Sequence, residues 1–149
     1  MQKKSKRQSG NTNLASEFYV ASQLFRLGYE VTITLGHTKE IDLIVINPTN
    51  GKTITIDVKG LKNKSNWPLT PQLIKREDHF YVLVNYCNKF NDPNFLPEVY
   101  VIPSDEIENL LEHWTKRGKK PIEKTCINYR NPNLRKYNNN WELISKQLK

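Results

Sequence analysis

The chain has 149 residues, with 23 Lys and Arg against 15 Asp and Glu, a formal net charge of +8. That length suits one ordinary domain with its own core, and the charge makes a polyanion a natural partner without naming it. The two cysteines, Cys87 and Cys126, stand outside any paired ligand spacing, and no apolar run approaches the roughly 20 residues that span a bilayer. A disulfide framework, a zinc site and a membrane span are therefore not expected.

Residues 1–12 read as a basic flexible arm, with Lys3, Lys4, Lys6 and Arg7 and no apolar residue after Met1. The arm has no apolar stretch behind it, so no signal peptide is expected, and a reduced cytoplasmic setting fits. Residues 13–149 read as one domain, with a basic, Asn-rich extension from about residue 115. From Leu14 to Gly28 the apolar residues Leu14, Phe18, Ala21, Leu24 and Phe25 fall on one arc at 3.6-residue spacing, which predicts an amphipathic helix capped by Thr12 or Asn13. Glu30–Leu35, Ile41–Ile46 and Thr53–Lys59 are rich in β-branched residues and separated by turn signals, which predicts a three-strand meander.

Gly60–Arg76 contains Pro68 and Pro71 and reads as a loop with a turn of helix at Gln72–Lys75. His79–Cys87 and Glu98–Ile102 read as two more strands. Pro103-Ser104-Asp105 predicts the start of a helix reaching Trp114, with Ser104 or Asp105 as cap, and Trp141–Leu148 predicts a short last helix. The sum is an α/β sandwich with a mixed sheet, in the order helix, three strands, loop, two strands, helix and tail.

The chemistry sits in the first 60 positions. Side chains alternate along a strand, so Asp57 and Lys59 share one face and Ile54, Ile56 and Val58 the other. A hairpin closed by Pro48–Gly51 pairs Asn47 with Lys52 and brings Asp42 opposite Asp57, with Cβ atoms about 5 Å apart. Two carboxylates that close repel unless a cation lies between them or one is protonated. An all-oxygen set points to Mg²⁺, with Mn²⁺ as the substitute. Lys59 beside the pair is placed to hold an attacking water or to offset charge developing on phosphate oxygens. Glu17 lies inside the apolar arc of the first helix, which points it toward the sheet and the same site.

This pattern resembles the PD-(D/E)XK nuclease superfamily, in the elements Glu17, then Ile41-Asp42-Leu43, then Ile56-Asp57-Val58-Lys59-Gly60. The run from Glu17 through Val20-Ala21, Leu24 and Leu27-Gly28-Tyr29-Glu30-Val31 is similar to the opening of archaeal Holliday-junction resolvases. Ile41 stands where the motif name has Pro. The resemblance implies a restriction-endonuclease-like fold and a Mg²⁺-dependent DNA endonuclease hydrolysing phosphodiesters by metal-activated water. It makes Asp42, Asp57 and Glu17 the metal set and Lys59 catalytic. The partners it implies are DNA, a second copy in a homodimer, and a larger defence or recombination complex. The alternatives are a non-catalytic nucleic-acid-binding module of the same fold and a subunit of such a complex.

After the catalytic strand, Lys62, Lys64, Trp67, Gln72 and Lys75 combine basic, polar and aromatic side chains in a pattern that suits phosphate contact and base stacking. Arg76 follows in the same run. His37 and Glu40 read as solvated loop residues, His79 as a strand-edge residue, and His113 as a helix C-terminal residue. Lys116, Arg117, Lys119, Lys120, Arg130, Arg135 and Lys136 form a second basic cluster in the tail.

Overall fold

A computed structural model describes residues 6–34, 41–70, 72–114 and 124–149. In chain order these form α1 (Lys6–Arg26), β1 (Glu30–Ile33), β2 (Leu43–Ile46), β3 (Thr53–Leu61), β4 (Asn66–Leu69), β5 (His79–Asn85) and β6 (Glu98–Pro103). A 3₁₀ turn (Ile107–Leu110), β7 (Leu111–Trp114), β8 (Lys124–Asn128), a second 3₁₀ turn (Pro132–Tyr137) and α2 (Glu142–Leu148) follow. Among the described residues no helix is long and apolar enough to cross a membrane.

The main sheet has the order β1-β2-β3-β5-β6, antiparallel except for the parallel β3–β5 pair, and is mixed as the sequence predicts. One face packs against α1 and α2 through Val20, Leu24, Leu43, Ile56, Val82 and Leu148. The other packs against a second sheet, β4-β8-β7, through Leu83, Ile102, Trp67 and Ile127. β5 is central and covered on both sides, so all seven of its residues are buried.

The second sheet departs from the sequence reading. β4 lies in the expected loop, because Pro68 sits on an edge strand, where a missing N–H costs no ladder bond. Gln72–Lys75 is not helical. The helix expected up to Trp114 is a 3₁₀ turn and then β7, which pairs with β8 in what read as tail, so His113 is a strand residue. Ser104 does not cap a helix, since its Oγ donates to the Arg76 carbonyl at 2.6 Å and accepts from the Arg76 N–H at 2.9 Å. His79 is not at an edge: it is buried, its Nδ1 lies 2.8 Å from Thr55 Oγ1, and burial lowers its pKa to about 4, with Arg76 adding to the effect.

α1 starts at Lys6, so Lys6–Asn13, expected as arm and cap, form its first turns. Its packing face is also different: Thr12, Ser16, Val20, Ala21 and Leu24 are buried, whereas Leu14, Phe18 and Phe25 are 43%, 55% and 54% exposed. Small residues line the contact because the helix lies close against β3. A Cβ added at Gly60 would come within 2.9 Å of the Thr12 carbonyl oxygen and nearer still to Ser16 Oγ.

Trp67 is fully buried, meets Tyr100 edge-on with ring centroids 5.9 Å apart, and donates its indole N–H to the Val84 carbonyl at 3.2 Å. It joins the two sheets and has no free face for a base. Trp67→Ala should cost about 3–5 kcal/mol of stability, measured by urea denaturation; a loss confined to nucleic-acid binding, with stability intact, would contradict this placement.

Candidate active site

The hairpin register is the one the turn predicts. Asn47 N–H donates to the Lys52 carbonyl at 2.8 Å, and the ladder runs from Ile46 with Thr53 to Leu43 with Ile56. One step further it brings Asp42 to Asp57. There β2 has ended, while β3 continues to Leu61, so among the described residues no strand lies on the β2 side of β3 from Asp57 onward. Asp42 fills part of that gap, as its Oδ2 accepts the Val58 N–H at 2.7 Å in place of a strand carbonyl.

The backbone of Asp42 is fixed on both sides. Its N–H donates to the Ile56 carbonyl at 2.9 Å, and its carbonyl accepts the Thr34 N–H at 2.9 Å. Thr34 Oγ1 also bonds the Ile41 carbonyl and lies 3.2 Å from the Asp42 carbonyl. Thr34 carries no signal in the sequence, since its part depends on β1 lying beside β2.

Asp57 and Lys59 lie on the face of β3 turned away from α1. Asp57 is buried, and its carboxyl is within hydrogen-bonding reach of Asp42. Burial raises its pKa to about 7; Lys59 pulls it down and the Asp42 contact pushes it up. Lys59 Nζ lies 2.7 Å from Asp57 Oδ1 as an ion pair. That oxygen is buried, and the Lys59 ammonium is the cation set against it. A half-buried ammonium is thus the countercharge to a buried carboxyl.

Glu17 reaches toward this group from α1. It is half-buried, and its pKa is raised to about 7 by burial first and then by Asp42, with Lys59 opposing. Asp42, Asp57 and Lys59 therefore form one cluster, and Glu17 lies within its electrostatic range. Among the described residues, no three or more Asp, Glu, His or Cys side chains are close enough to surround a metal ion. Two adjoining carboxyls nevertheless suit Mg²⁺, which is commonly held by one or two carboxylates, with waters and substrate oxygens completing its shell.

The remaining candidates separate. Lys64 and Gln72 are exposed, Lys62 lies over the Phe90 ring at 5.4 Å, and Lys75 is ion-paired with Glu108. Trp67, as described above, belongs to the core, which corrects its reading as a stacking surface. His37, Glu40, Lys116, Arg117, Lys119 and Lys120 lie outside the described residues.

No family model matches the chain, and no curated protein matches it. Among solved structures, the bacterial homing endonuclease I-Ssp6803I matches 93% of this chain and 93% of its own, at 18% identity and a TM-score of 0.53. The likeness is one of fold. It extends across both sheets, well beyond the stretch that carries the motif.

The carboxyl shifts have a sign that can be checked. In the unfolded chain Asp57 ionises near 3.8, and in the folded protein near 7, so between these values the folded state holds the extra proton. Stability from this group is full below about pH 4 and is lost as pH rises toward 7. His79 works the other way, its pKa falling from 6.5 to about 4 on folding, so its contribution increases with pH over that window. Asp57→Asn removes the first effect only. In EDTA, the stability of this variant relative to wild type should grow as pH rises from 4 to 7; a difference independent of pH would contradict the assignment.

Proposed function

We propose that this protein is a Mg²⁺-dependent DNA endonuclease of the restriction-endonuclease-like, PD-(D/E)XK type. The observation that carries the reading is the Asp42–Asp57 carboxyl pair beside Lys59, with Asp57 buried. A fold shared with a homing endonuclease supports nuclease chemistry and DNA as the substrate.

In this reading Asp42 and Asp57 hold the cation, and Mn²⁺ is its substitute. The bound cation supplies Lewis acidity, lowering the pKa of water and offsetting charge on the phosphate. Asp42 is held for this by three backbone contacts, with Thr34, Ile56 and Val58, so its position costs little reorganisation. With a cation held by the two carboxyls, Asp57 would no longer need the Lys59 ammonium, which would then counter the charge that grows on the phosphoryl oxygens in the transition state. Glu17 completes the acidic set from α1; poised near neutrality, it takes up the proton of the attacking water as the water oxygen bonds to phosphorus, and the ester P–O bond breaks with the leaving oxygen taking a proton from solvent water. Lys64 and Gln72, exposed after the catalytic strand, contact the DNA backbone.

The test is cleavage of plasmid and branched DNA with Mg²⁺, Mn²⁺ or EDTA. Wild type should cut only with metal, and Asp57→Asn and Lys59→Ala should each lose at least about 100-fold in rate while still binding DNA. Metal-independent cutting would overturn the metal dependence; DNA binding without cleavage of any substrate would overturn the enzyme reading and leave a binding module.

A further inference from the structure

We propose that Gly60 and Ser16 are positioning residues, whose direct contact sets the distance between the Glu17 helix and the Lys59 strand. The inference rests on the nuclease reading above. Each residue adjoins a site residue in sequence, Ser16 before Glu17 and Gly60 after Lys59, and the two meet where α1 crosses β3.

Nothing in the backbone of Gly60 demands glycine, because it is not among the positive-φ residues. What demands it is space. An added Cβ would meet Ser16 Oγ, the Thr12 carbonyl oxygen at 2.9 Å and Ser16 Cβ at 3.2 Å. At Gly10 on the same helix, an added Cβ would meet nothing within 4 Å. Ser16 is itself held firmly: it is fully buried, its Oγ donates to the Thr12 carbonyl at 2.7 Å, and the Tyr86 hydroxyl hydrogen-bonds its side chain. Neither partner can turn aside, and one of the clashing atoms is helix backbone. A larger residue at position 60 must therefore push α1 off the sheet, and Glu17 moves with it. Asp57 and Lys59 stay, since β5 pairs with their stretch of β3, and Asp42 stays through its bonds to Thr34, Ile56 and Val58. The contact thus controls one coordinate of the site, the approach of Glu17, and no other.

The experiment compares wild type, Gly60→Ala, Ser16→Gly with Gly60→Ala, and Ser16→Thr, each confirmed as folded by circular dichroism. Displacing a reacting group by about 1 Å costs on the order of 100-fold in rate, so Gly60→Ala should lower kcat by that factor with KM little changed. Ser16→Gly, which removes both side-chain clashes, should restore much of the loss in the double variant. Ser16→Thr, crowding the contact from the helix side, should show a smaller loss of the same kind and serves if Gly60→Ala does not fold. Folded variants that cut at the wild-type rate would overturn the proposal and leave the nuclease reading intact, as would a double variant no faster than Gly60→Ala. If wild type cuts no DNA, the nuclease reading fails, and crystal structures of the variants decide the spacing. An α1 displaced from β3 in Gly60→Ala and returned in the double variant supports it; an unmoved α1 overturns it.

Discussion

Two carboxyl groups brought together in a largely buried place are the constraint around which this molecule is arranged. Asp57 is buried, and Asp42 reaches it because β2 ends one residue short. A longer β2 would close the edge of β3 and give Val58 N–H a strand carbonyl, leaving the Asp42 side chain without its anchor. The proton that Asp57 keeps to near neutrality and the ammonium of Lys59 are what hold the pair. Neither removes the cost of burying the Asp57 carboxyl. Sites arranged at such a cost are more often functional than structural.

The elements around the pair divide the labour. β3 carries two site residues and is paired with β5 along Thr55–Leu61, while β2 pairs with it only as far as Ile56. α1 brings the remaining carboxylate and packs through small residues, which makes its distance from β3 a matter of steric contact. The second sheet contributes no site residue among those described. It covers the Asp57 face, and Trp67 fastens it there through the Val84 carbonyl.

The cluster was legible in the sequence because it depends on short-range rules. Alternation along Thr53–Lys59 put Asp57 and Lys59 on one face, and a four-residue turn fixed the register that brings Asp42 to them. The mixed sheet followed from the same strands. What was hidden depends on contacts distant in the chain. The buried face of α1 was misread because its large residues, Phe18 and Phe25, turn to solvent, while Thr12 and Ser16 meet a glycine some 40 positions later, a pairing no periodicity reveals. β4 was masked by Pro68, harmless only because β8 lies on one side of it alone. β7 was masked by a cap residue already committed elsewhere, Ser104 to Arg76. Propensity was overruled in both places by strand pairing.

The central claim is that the Asp42–Asp57 pair is built to hold a cation. Its most direct test is a crystal of the protein grown at pH 8 and soaked in Mn²⁺, with anomalous scattering recorded from the metal. The account predicts a peak ligated by both carboxyls, with Lys59 Nζ drawn away from Asp57 Oδ1. No peak at saturating Mn²⁺, with Lys59 still against that oxygen, would contradict it.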